Sequence, residues 1–260
     1  MFETKKKRRR RLIETPLRAD WIAILERDVP YYRLLPTADR RELEGLVQAF
    51  LAEKHFEGCD GLQITDEIRL AIAAQACILL LHRKTDLYPL LQSILVYPRT
   101  FVAPRKERAP GGVVIEDFEE LEGESWDTGA LILSWDDVVE SMADAADGYN
   151  VVFHEFAHQL DDESGIADGA PALAKRSDYA DWSRVLGAEY DALVESVERH
   201  RPTVLDEYGA ESPAEFFAVA TETFFEMPAR LKASHPELYA QLERFYRQDP
   251  ASFGPDAAGR

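Results

Sequence analysis

The sequence predicts an α+β fold, mostly helical with one small mixed sheet, and three observations carry that prediction. Residues 20–54 and the chain after Asn150 repeat apolar side chains at three- and four-residue steps, the period of a helix. Between them lie short runs of β-branched and aliphatic residues bounded by Pro and Gly, the pattern of strands. The order helices, sheet, helices fits segregated layers better than a doubly wound parallel sheet.

The chain opens with seven consecutive basic residues, Lys5 to Arg11, ahead of any apolar periodicity. Like charges repel, so residues 1–19 are expected to form a flexible, solvated tail or an electrostatic arm for an anionic partner. Only Leu12 and Ile13 follow before Glu14, which leaves no apolar segment for a secretory signal and predicts a cytoplasmic protein. Trp21, Ile24 and Leu25, then Leu43, Leu46, Val47 and Phe50, mark helices that Pro30 and Pro36 separate. Thr65 is placed to cap a further helix, with Asp66 and Glu67 near its positive end. The apolar stretch 68–81 is interrupted by Arg69 and Gln75 and is too short for a bilayer span, so it reads as a buried helix.

Residues 93–97, 113–115 and 130–133 are the predicted strands. The charged, Pro- and Gly-containing segment 104–112 between the first two is expected to be a loop. Helical periods then cover 151–160, 179–199, 213–226 and 236–247, and 254–260 is expected to fray. One domain over 20–253 follows, with a helical part at 20–90, a sheet region at 91–135 and the active-site and C-terminal helices at 149–247.

A chain of 260 residues with 46% hydrophobic side chains can fill a core. Thirty basic against 48 acidic side chains give a net charge of -18, which excludes a general binder of nucleic acid or anionic membrane; only the basic run is a candidate for such a contact. The two cysteines, Cys59 and Cys77, lack the spacing of a thiolate metal site or a redox pair.

The chemistry is concentrated in Val151-Val152-Phe153-His154-Glu155-Phe156-Ala157-His158-Gln159-Leu160-Asp161. Residues four apart project from one helix face, so His154 and His158 can aim two imidazoles at one point. That donor pair suits Zn²⁺, with the intervening Glu155 placed to take a proton from metal-activated water. A third protein ligand is required, and the continuation that would supply a third histidine is absent. Glu215 is the leading candidate, because Pro213 suits a first helical turn and Phe216, Phe217 and Val219 would make an unpaired carboxylate costly there. Glu222 is the rival, either as ligand or as acceptor for a ligand histidine, and Glu211 is the exposed alternative. Asp161 and Asp162 are candidates to receive the spare ring proton of a ligand histidine.

These residues resemble the Mlc titration factor A family, bacterial zinc metallopeptidases of the gluzincin type whose active-site helix is similar to that of anthrax lethal factor. The resemblance extends from Val29-Pro30-Tyr31-Tyr32 and Phe56-Glu57-Gly58-Cys59 through the histidine segment to Pro213-Ala214-Glu215-Phe216-Phe217 and Phe245-Tyr246-Arg247-Gln248-Asp249-Pro250. It implies a zincin-like fold with one zinc ion per chain, held by His154, His158 and Glu215, and Glu155 as general base. It adds Tyr208, in Tyr208-Gly209-Ala210, as the donor that stabilises the oxyanion of the tetrahedral intermediate. It further implies an aminopeptidase acting on peptide substrates and a protein partner, a glucose-responsive repressor of Mlc type. The alternative is a regulatory protein that sequesters a transcription factor and whose peptidase activity is weak or incidental. An extended substrate is expected to pair with a free edge of the strand at 130–133.

Overall fold

The computed structural model describes residues 4–84, 86–99, 101–108, 114–121, 123–126 and 129–253. Its helices and strands, in chain order, are α1 (Lys5–Glu14), α2 (Ala19–Asp28), α3 (Pro30–Leu34), α4 (Thr37–Glu53), β1 (His55–Gly58) and α5 (Asp66–Ile78). Then come β2 (Ser93–Tyr97), β3 (Phe101–Arg108), β4 (Val114–Leu121), β5 (Gly123–Trp126), β6 (Ala130–Ser134), α6 (Trp135–Ala143) and α7 (Val151–Asp162). The chain closes with α8 (Asp178–Glu198), a 3-10 turn (Glu207–Ala210), α9 (Pro213–Glu226), α10 (Pro228–Ser234), α11 (Pro236–Tyr246) and a second 3-10 turn (Pro250–Ser252).

The sheet is mixed: β1, β2 and β6 run parallel in the order β1-β2-β6, and β5 pairs antiparallel with β6 at the outer edge. α5 begins where expected, with the Thr65 hydroxyl accepting from Ile68 N–H at 3.3 Å, and its residues from Leu70 to Ile78 are buried. α7 packs between α5 and α9 and also touches β5 and β6. Phe156 of α7 seals the middle of the core against Phe50 and Tyr88, at ring centroid distances of 5.8 and 4.8 Å. Each such ring taken out of water contributes about 1.5–3 kcal/mol, so α7 is fixed in place by one apolar face.

Several expectations are corrected. The basic run is not a solvated tail from residue 5 onward but helix α1, capped by Thr4 and packed on α4. Arg9 explains it: its guanidinium grips Glu53 through Nε at 2.7 Å and Nη2 at 2.8 Å, and reaches Asp86 through Nη1 at 2.7 Å. Arg10 pairs with Glu14 one turn on, at 2.8 Å, and these acids offset the repulsion along the helix. Residues 104–108, expected in a loop, belong to β3, which forms an antiparallel two-stranded ribbon with β4. Such a ribbon has free edges, where a proline such as Pro104 is tolerated. Residues 109–113, which include the rest of that predicted loop and the first residue of the predicted strand at 113–115, lie outside the described residues, as does 254–260. The helical region 20–90 also contains β1, four residues too short to show a period. The strand at 130–133 has no free edge, because β6 is flanked by β2 and β5.

Candidate metal centre

Two antiparallel stripes of polar side chains meet where α7 lies on α9. Asn150, His154 and His158 are spaced four apart along α7, and Glu215, Glu222 and Glu226 are spaced seven and four apart along α9, so each set occupies one helix face. His158 lies opposite Glu215, His154 bridges Glu215 and Glu222, and Asn150 bridges Glu222 and Glu226. Both helix starts are set by local capping: the Asn150 side-chain oxygen accepts from Phe153 N–H at 3.0 Å, and the Ser212 hydroxyl accepts from Glu215 N–H at 3.1 Å with Pro213 next to it.

Three donor atoms converge. His154 Nε2 and His158 Nε2 are 3.2 Å apart, and Glu215 Oε2 is 3.1 and 3.2 Å from them. Among the described residues, His154, His158 and Glu215 are the one group of three or more His, Cys, Asp or Glu side chains placed to hold a metal ion. The tautomer of His154 follows from its far side, where Nδ1 lies 2.8 Å from Glu222 Oε1. An ionised carboxylate only accepts, so Nδ1 carries a proton, and in the neutral ring Nε2 keeps its lone pair toward the other two donors. Burial opposes a charge on His154, but Glu222 and Glu215 outweigh it and hold its pKa well above that of an ordinary imidazole. Burial likewise opposes ionisation of Glu215, and the two histidines overcome it and hold this carboxyl far below the usual range. The cluster therefore favours a positive charge at its centre.

Glu155 is 5% exposed, and burial raises its pKa against the pull of His154 and His158. Among the described residues its carboxylate makes no hydrogen bond. Tyr208 sits in the 3-10 turn ahead of α9, half exposed, with its ring centroid 5.9 Å from that of His154. Glu211 stays exposed at the end of that turn.

A family model described as Glucose-regulated metallo-peptidase M90 matches residues 3–247 of this chain. The chain belongs to that family. A protein of Synechocystis sp., named only as uncharacterized protein slr2042, is 44% identical over 245 residues, 94% of this chain and 89% of its own length. Mlc titration factor A of Pectobacterium atrosepticum is 32% identical over 225 residues, 85% of this chain and 84% of its own, and that of Salmonella arizonae is 30% identical over 236 residues, 90% and 93%.

Membership of the M90 metallo-peptidases implies a metal, and the donor set fits one. Ligands at about 2.0–2.1 Å around a tetrahedral ion stand about 3.3–3.4 Å from one another, and the three donor atoms here are separated by 3.1 to 3.2 Å. Without a metal ion, a proton on His154 Nε2 donates to Glu215 at 3.1 Å; a bound cation would take that proton's place.

Of the candidate acceptors for a histidine ring proton, Glu222 is the one that meets His154, and Asp161 instead holds a loop. Asp161 Oδ2 accepts from Gly169 N–H at 2.7 Å, and Gly169 O accepts from Trp182 Nε1 at 3.0 Å. Gly169 has φ +78°, and a Cβ there would stand 2.2 Å from Pro213 O, so this loop seats the first turn of α9 and with it Glu215. Sequence reasoning missed Asn150 and Glu226 as parts of this network. Asn150 was open to discovery as a capping residue before an apolar run, and Glu226 as a carboxylate between Phe225 and Met227.

Proposed function

We propose that this chain is a zinc-dependent peptidase of the zincin-like, gluzincin type, and that the observation carrying this reading is the convergence of His154 Nε2, His158 Nε2 and Glu215 Oε2 on one point. Zinc at that point supplies a Lewis acid that acidifies water and polarises a peptide carbonyl. Glu155, buried beside the two histidines, accepts the proton of the attacking water and passes it to the departing amine. Tyr208 faces His154 from the solvent side and donates its hydroxyl hydrogen bond to the oxyanion as the carbonyl becomes tetrahedral. Glu222 keeps His154 in the tautomer that ligates. An extended peptide is best accommodated by β5, the outer strand of the sheet, which lies against α7. Aminopeptidase preference and a cytoplasmic location complete the reading. Cys59 and Cys77 are both free, and no helix of the described residues is long and apolar enough to cross a membrane.

The names of the relatives support a second role, binding of a Mlc-type repressor. The variant Glu155→Gln separates the two. It is expected to keep its metal and any repressor binding while losing hydrolysis by at least about a hundredfold, in line with the worth of a general base. Hydrolysis of a peptide series at the wild-type rate would remove Glu155 from the chemistry.

A further inference from the structure

A cavity of about 170 Å³ lies under the first turn of α7, one turn before His154 and away from the converging donors. The rings of Tyr31, Phe153, Phe225 and Phe253 line it. Tyr31 meets the other three nearly edge-on, at centroid distances of 6.4, 5.5 and 6.2 Å. The polar part of the lining includes Gln75, Asn150 and Glu226, and among the described residues no Lys, Arg or His contributes to it.

Two oxygens on this lining are orphaned. Glu226 and Tyr31 are 7% and 8% exposed, and among the described residues Glu226 Oε2 and the Tyr31 hydroxyl are buried with no hydrogen-bond partner. The other carboxylate oxygen, Oε1, is satisfied by Asn150 Nδ2 at 3.0 Å, and Gln75 Oε1 takes the same amide at 2.8 Å. A buried carboxylate oxygen without a donor is costly, and a four-ring apolar wall beside it cannot supply one.

We propose that this cavity is a second ligand site that takes a small apolar primary amine, with the ammonium donating to Glu226 and the hydrocarbon part against the four rings. Charge favours a cation, since the carboxylates that act on Glu226 from its surroundings, Asp147, Glu222 and Asp144, are acidic too. Aromatic rings attract an ammonium as well as its carbon skeleton. The open acceptor selects a primary amine over a quaternary one, which has no hydrogen to give. A zwitterionic amino acid is disfavoured, because its carboxylate would find no positive partner here. Size limits the ligand to one ring or a branched alkyl chain, as apolar cavities of about 150 Å³ hold benzene. Burial raises the Glu226 pKa to about 8, so near neutrality the empty site holds a proton on this carboxyl, and an arriving ammonium takes that proton's place. The site also touches the metal centre through one residue, for Asn150 gives its side chain to Glu226 and its backbone N–H to Glu222. The inference stands apart from the peptidase reading, because it needs neither a bound metal nor hydrolysis.

Calorimetric titration of the zinc-loaded protein with benzylamine, and with benzyl alcohol as the neutral isostere, tests it. Saturable one-to-one binding of the amine is expected, at least about tenfold tighter than the alcohol. The variant Glu226→Gln should weaken the amine about ten- to a hundredfold, the range for a hydrogen bond to a charged group, and leave the alcohol nearly unchanged. Ala145→Phe, at the half-buried rim, fills the cavity without touching the carboxylate and should abolish binding of both. The variant His158→Ala must keep the amine affinity. Amine binding lost in that variant would put the amine on the metal and overturn the inference. So would equal affinities for amine and alcohol, indifference to both cavity variants, or no saturable binding at all.

Discussion

Replacing Glu222 by glutamine changes one buried group, 4% exposed, and forces a choice that the wild-type carboxylate avoids. Its two oxygens face two donors, His154 Nδ1 at 2.8 Å and Asn150 N–H at 2.6 Å. A glutamine offers one acceptor and one donor, so whichever way it turns, its amide nitrogen meets an N–H. The backbone N–H of Asn150 has no alternative form, whereas His154 can move its proton to Nε2. The amide oxygen will therefore go to Asn150, the amide nitrogen to His154, and the displaced ring proton will point at the metal position. The loss is that of a hydrogen bond to a charged group, about 1.5–3 kcal/mol, or about ten- to a hundredfold in metal affinity. Competition for zinc against a fluorescent chelator measures it, with the melting temperature of the metal-free variant as a check that the helix pair is intact. A zinc Kd within about twofold of wild type in a folded Glu222→Gln variant would refute the tautomer argument.

Gly169→Ala should lower the melting temperature and weaken zinc binding together, because the new Cβ stands 2.2 Å from Pro213 O and displaces the first turn of α9; the strain is on the order of 2–3 kcal/mol. Gly165→Ala is the control in the same loop, with φ +84° but open space around the added carbon, and should cost only about 1 kcal/mol with no effect on zinc. For Glu226 the folded pKa of about 8 lies above the unfolded value of 4.5. The folded protein thus holds a proton that the unfolded chain releases, and stability falls as pH rises from about 4.5 to 8. Glu226→Gln should match wild type near pH 4 and exceed it at pH 8 by on the order of 4 kcal/mol in denaturant titrations; a constant difference at both pH values would contradict the assignment.

What the sequence made legible was periodic. The four-residue spacing of His154 and His158, the Ser212-Pro213 start of α9 and the apolar run of α5 are local patterns, and each appears in the structure at the predicted place. What it hid was long-range. α1 is held by Arg9 through partners 44 and 77 residues away, so a run of like charges looks unfolded until Glu53 and Asp86 are placed beside it. β3 and β4 define each other by pairing, and Pro104 masked the first of them. The sequence left Asp161, Asp162 and Glu222 all open as the histidine's acceptor, and that Glu222 meets His154 turned on which helix lies against α7. Tyr208 came from family resemblance alone, since a lone aromatic before a helix has no period to betray its approach to His154.

A crystal structure of the zinc-loaded protein, with the metal located by its anomalous scattering, tests the centre most directly. The account predicts one zinc ion per chain within about 2.0–2.2 Å of His154 Nε2, His158 Nε2 and Glu215 Oε2, with Glu222 still on His154 Nδ1 and not on the metal. Zinc bound elsewhere, or held with Glu222 or Glu155 in place of Glu215, would contradict it.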